Sequence, residues 1–138
     1  MNWTIYAIFS AIFAALVAIF GKMGLKNIDS TLATTIRSVV MAVFLIITAF
    51  SLGKFNFLNT IDNKAILFII LSGISGALSW LFYFLAIKLG PVTAVAAIDR
   101  TSIVFVFVLS VLFLSESLTV LKSIGAIAIV VGAILMAM

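Results

Sequence analysis

The chain contains neither cysteine nor histidine. Those absences remove disulfides, thiol nucleophiles, haem, and any zinc or iron site that needs imidazole or thiolate ligands. Acidic residues are scarce as well, four Asp and Glu against eight Lys and Arg in 138 residues, and they lie too far apart to cage a metal. Without histidine there is no Ser/His/Asp or Cys/His arrangement, and no GxxxxGK phosphate loop occurs. Activating water or a nucleophile would fall on Asp99 or Glu116 alone, so the chain is read as a non-enzyme, with no metal and no cofactor. The net charge of +4 comes from single residues rather than a run. It marks the ends of segments and gives no surface for nucleic acid.

What the chain has in abundance is hydrocarbon. Hydrophobic residues make up 66% and charged residues 9%, with a mean hydropathy of +1.47, which excludes a water-soluble fold. Apolar stretches long enough to cross a bilayer core of about 30 Å run from Trp3 to Gly21, Thr31 to Leu52, Ala65 to Ile87, Val92 to Leu114 and Val120 to Ala137. The first is not read as a cleavable signal, because no Lys or Arg precedes Lys22 and four more apolar segments follow. Leu89-Gly90-Pro91 supplies a helix stop and a helix start, and Ser117 or Thr119 is placed to cap the last helix. The fold class is therefore an all-α integral membrane protein, a bundle of five transmembrane helices.

The N-terminus and the connections after the second and fourth spans share one side, which carries Lys54, Lys64 and Lys122. The other side carries Lys22, Lys26 and Lys88. Equal flanks specify no orientation, and only by counting Arg37 and Arg100 does the second side lead. Such a chain is free to insert both ways.

Arg37, Asp99 and Arg100 stand inside spans. Each arginine lies roughly 10 Å deep from the same side. A charge facing lipid near the bilayer centre costs about 2.5 to 3.5 kcal/mol or more, so these groups should face protein or a water-filled cavity. Sequence neighbours on a helix point about 100° apart, and Asp99 is expected to reach Arg37 across a helix interface rather than pair with Arg100. The trio sums to +1, which a substrate anion or another group in an oligomer would neutralise. Three readings stay open: an ion pair that fixes helix packing, a substrate or ion pathway with protonation of Asp99 as a coupling step, and a snorkelling arginine. In the third span Gly73, Gly76, Trp80 and Tyr83 form one stripe. Its small end suits a helix contact and its aromatic end suits either membrane-interface packing or a cavity wall. Ser72, Ser75 and Ser79 flank it, and such serines commonly bond their own backbone. Ala7, Ala11 and Ala15, and likewise Gly125, Ala128 and Gly132, read as helix contacts or a dimer face.

AIKLGPVTAVAAID from Ala86 to Asp99, VLFLSESLT from Val111 to Thr119, and GAIAIVVGAIL from Gly125 to Leu135 resemble the EamA domain of the drug/metabolite transporter superfamily. The resemblance covers all five spans and implies one EamA-like inverted-repeat unit over residues 1–138. Two positions depart from the family pattern: Ala97 stands near a common proline, and Ser115 stands where a glycine usually precedes the glutamate. Without the proline, no local signal asks for a break in the fourth helix. Glu116 resembles a loop residue that supports the start of the last helix. Most members resemble two such domains fused in inverted orientation, so the resemblance implies a second copy, a homodimer that the even flanking charge allows to be antiparallel. Small multidrug-resistance proteins are a four-helix precedent for such pairing, although the first span here lacks their membrane-embedded glutamate.

The expected function is a secondary transporter that moves a small metabolite or drug-like solute by alternating access as a homodimer, in a bacterial or archaeal cytoplasmic (inner) membrane. Arg37, Asp99 and Arg100 would contact substrate or coupling ion, while Trp80 and Tyr83 would shape the cavity. The partners are the lipid bilayer, a small-molecule substrate and a second copy of the chain. A lipid-linked head-group flippase and a non-transporting scaffold or accessory subunit are the alternatives.

Overall fold

In hydrocarbon every backbone N–H and C=O must find its partner within the protein, and a lone segment achieves this only as a helix. The computed structural model obeys that constraint: it describes residues 2–117 and 119–138 and contains no strand among them. Met1 and Leu118 lie outside the described residues; Leu118 belongs to the SESLT segment discussed above.

Helix α1 covers Trp3–Gly24, α2 covers Ser30–Ser51, and a 3₁₀ segment Lys54–Thr60 leads to α3, Asn63–Leu89. They are followed by α4, Val92–Asp99, α5, Ser102–Leu114, and α6, Val120–Ala137. Five stretches among these are long and apolar enough to cross a membrane, with α4 and α5 together forming the fourth, Val92–Leu114. Large side chains such as Phe44, Phe105 and Phe113 are more than two-thirds exposed, whereas the buried apolar residues are few and often small, among them Ala18, Ala97 and Ala133. This is the inverse of a water-soluble surface, and only lipid or another protein can cover it.

Local chemistry explains where the helices begin and turn. Asp29 caps α2, accepting the Thr31 and Leu32 N–H groups at 2.9 and 3.1 Å. The bond from Leu32 leads in holding its carboxyl below the usual value, with Thr31 and the charge of Lys88 adding to it. Gly53 takes the left-handed conformation, φ 64°, that ends α2 and starts the 3₁₀ segment. Asp62 accepts the Ala65 N–H at 2.7 Å, which lets α3 start two residues before its apolar run. Several hydroxyls in the spans are satisfied on their own helix: Thr34, Ser38, Thr48 and Ser75 donate to carbonyls four residues back at 2.7 to 2.8 Å. Of the two candidate caps for α6, Thr119 does the work, accepting the Lys122 N–H at 3.3 Å.

The chain divides into two compact units. The first joins the segment up to Lys22 with Leu89–Met138, and the second is Met23–Lys88. In the first, Lys22 Nζ donates to the Gly90 carbonyl at 2.9 Å. In the second, Lys88 Nζ donates to the Ile28 carbonyl at 3.0 Å. Two of the flanking lysines thus serve backbone carbonyls in the turns, which holds helix ends in place.

The fourth span is interrupted despite lacking proline. Between Asp99 and Ser102 the bonding tightens to three-residue steps: the Thr101 N–H donates to Ile98 at 2.9 Å, Ile103 to Arg100 at 3.2 Å, and Val104 to Thr101 at 3.0 Å. The Thr101 hydroxyl donates to the same Ile98 carbonyl at 2.7 Å, drawing the chain into the tighter turn. On the N-terminal side of this step α4 packs along α6, where Ala97 and Ala133 are buried; small side chains let two backbones approach.

Candidate functional site

The second unit brings together three of the five residues singled out in the sequence. Arg37 lies two turns into α2, half-buried, and its guanidinium carbon sits 3.7 Å from the centre of the Trp80 ring on α3. Trp80 meets Tyr83 edge-on at 5.5 Å between ring centroids. Phe84, which the stripe of Gly73, Gly76, Trp80 and Tyr83 did not include, completes the cluster: it lies 5.9 Å from Trp80, 6.2 Å from Tyr83, and 5.3 Å from the Arg37 guanidinium. Only 3% of Phe84 is exposed. The spacing of four residues from Trp80 to Phe84 was the available signal, because it places both rings on one face.

This arrangement defines what the cation can do. A guanidinium stacked on an aromatic ring is stabilised through its face by about 0.5 to 2 kcal/mol. Its N–H donors remain at the rim in a fork that matches a carboxylate or phosphate. Trp80 and Phe84 therefore hold Arg37 without using up the hydrogen bonds that would recognise an anion.

The glycine end of the same stripe behaves otherwise. A Cβ added at Gly73 or Gly76 would meet nothing within 4 Å, so among the described residues of this unit the close helix contact expected there is not made.

Asp99 and Arg100 belong to the first unit, at the junction of α4 and α5. Asp99 is half-buried and Arg100 exposed. Each titratable side chain thus stands beside the 3₁₀ step rather than in the middle of a regular helix. The pairing of Asp99 with Arg37 expected from the sequence joins residues of different units; the neighbours found for the Arg37 guanidinium are the two rings.

A second feature of the first unit was not foreseen, a cleft of about 340 Å³ between α5 and α6. Glu116 and Lys122 stand at it, 3.4 Å apart and about half exposed. The placement of Glu116 depends on Ser115, which ends α5 in the left-handed conformation, φ 55°, so that the Glu116 N–H turns back to the Ser110 carbonyl at 3.3 Å. This closure is the one in which glycine is favoured, because a Cβ costs roughly 1 kcal/mol there. Ser115→Gly is therefore expected to raise stability by up to about 1 kcal/mol, read as a higher denaturant midpoint in detergent; an unchanged or lower midpoint would mean that the serine carries no strain.

Residues 1–138 match the model of a family described as the EamA-like transporter family. A protein of Sinorhizobium sp. named "uncharacterized transporter in cobO 3′ region" is 40% identical over 136 residues, covering 99% of this chain and 96% of that protein. No solved structure matches.

Proposed function

Since the chain belongs to the EamA-like transporter family and is built of helices fit to cross a membrane five times, we propose that it is a secondary transporter for a small metabolite or drug-like solute bearing a carboxylate or phosphate. It works by alternating access as a homodimer, which its even flanking charge allows to be antiparallel, in a bacterial or archaeal cytoplasmic membrane. The observation that carries the choice of an anionic group is the Arg37 guanidinium stacked 3.7 Å over Trp80 with its rim donors available. Arg37, Asp99 and Arg100 contact the solute or the coupling ion. Trp80 and Tyr83 shape the cavity, and protonation of Asp99 is the coupling step. No reaction is assigned to the chain.

Uptake by proteoliposomes from a mixed pool of metabolites, under proton and sodium gradients in turn, tests this reading. Wild type should accumulate an anionic solute, and Asp99→Asn should lose most of the gradient-driven accumulation while folding normally. Transport by Asp99→Asn equal to wild type removes the coupling role. A chain that moves no soluble solute under any gradient is a scaffold or accessory subunit, and one that moves only a labelled lipid is a flippase.

A further inference from the structure

The cleft between α5 and α6 is apolar along its length and ionic at one end. Val106 and Phe107 of α5 and Gly125, Ala126 and Ile129 of α6 form its walls. A Cβ built on Gly125 would meet nothing within 4 Å, so the missing side chain is part of the void. Lys122 and Glu116 stand at the other end, beyond the C-terminus of α5 and in the first turn of α6. From Lys122 to Ile129 the slot runs roughly 10 Å along the helix. Because both helices belong to candidate membrane spans, the ionic end lies at the headgroup level and the slot descends into hydrocarbon.

With about 340 Å³ over roughly 10 Å of length, the slot holds the upper part of a single acyl chain. The mouth then selects the headgroup. Glu116 and Lys122 sum to zero and lie 3.4 Å apart, which complements a headgroup carrying both a phosphate and a cation. A carboxylate gains most from a cation that donates N–H bonds, which a primary ammonium does and a quaternary cholinium cannot. An anionic headgroup would set unpaired negative charge beside Glu116.

We propose that the α5/α6 cleft binds one phosphatidylethanolamine molecule, its acyl chain in the slot, its phosphate at Lys122 and its ammonium at Glu116. This site stands independently of the transport reading, since it involves none of the residues assigned there.

The test is native mass spectrometry of the purified full chain in detergent with an equimolar mixture of dioleoyl phosphatidylethanolamine, phosphatidylcholine and phosphatidylglycerol. One phosphatidylethanolamine per chain should be retained over the other two by roughly tenfold, the size of one charge-assisted hydrogen bond. Gly125→Leu and Ala126→Leu, which fill the slot from the same wall, should each reduce retention at least roughly tenfold, while Gly125→Ala stays near wild type. Glu116→Gln should erase the preference over phosphatidylcholine. Equal retention of the three lipids by wild type, or undiminished retention by both leucine variants, overturns the proposal. Leucine variants that change the dimer fraction and leave lipid retention intact would overturn it by assigning the cleft to the second copy.

Discussion

Arg37→Ala should reduce solute uptake by roughly tenfold to a hundredfold, the effect of losing one charge-assisted hydrogen bond to the solute worth about 1.5 to 3 kcal/mol. The decisive control is Arg37→Lys. Lysine keeps the charge and a similar reach but has no planar face to stack on Trp80 and no fork to offer a carboxylate, so it should recover only a small part of the activity. Trp80→Phe keeps a ring under the cation and should retain more uptake than Trp80→Leu, which leaves the guanidinium with Phe84 at 5.3 Å. Initial rates in proteoliposomes at matched protein content measure all four. If Arg37→Lys transports like wild type, the site works as a point charge and the stacked geometry is irrelevant to recognition.

The second large effect concerns stability. Ala133 is 4% exposed and Ala97 8%, on the two helices that pack along each other in the first unit. Enlarging either to leucine must push α4 from α6 or force strained rotamers, at a cost of about 1 to 3 kcal/mol. Ala128→Leu, on an exposed position of the same helix α6, should change stability by less than about 0.5 kcal/mol. Equilibrium unfolding in mixed micelles compares them, and equal costs at Ala133 and Ala128 would show that close packing of α4 on α6 does not support the fold.

The spans were legible because their signal is cumulative: some twenty apolar residues in a row settle a crossing whatever the details at the ends. Ends were legible where one side chain decides them, as at Thr119. Asp29 was missed although an aspartate before Ser-Thr and an apolar run is a plain capping pattern. The departure at Ser115 pointed to a real backbone requirement, since the residue takes up the conformation in which glycine is favoured. Contacts between helices were harder to read. Trp80 and Tyr83 were found from spacing on one helix, yet Phe84 was overlooked and the stacking of Arg37 on Trp80 depends on where two helices run. The cleft between α5 and α6 had no signal at all, because a void is a property of separation and not of any residue. The interruption at Arg100 and Thr101 likewise arises without glycine or proline, and a threonine hydroxyl supplies what the sequence did not advertise.

That tightening has a geometric outcome for the fourth span. A residue in a 3₁₀ turn advances about 120° around the axis and 2.0 Å along it, against about 100° and 1.5 Å in an α-helix. Over Arg100, Thr101 and Ser102 the screw therefore gains roughly 60° and 1.5 Å. The azimuth that α4 presents to α6 is consequently not carried on by α5, and heptad-spaced residues on opposite sides of the step point in different directions. Reverting the step to ordinary winding would swing the whole of α5 about its own axis, altering which of its side chains look toward α6 without moving α4.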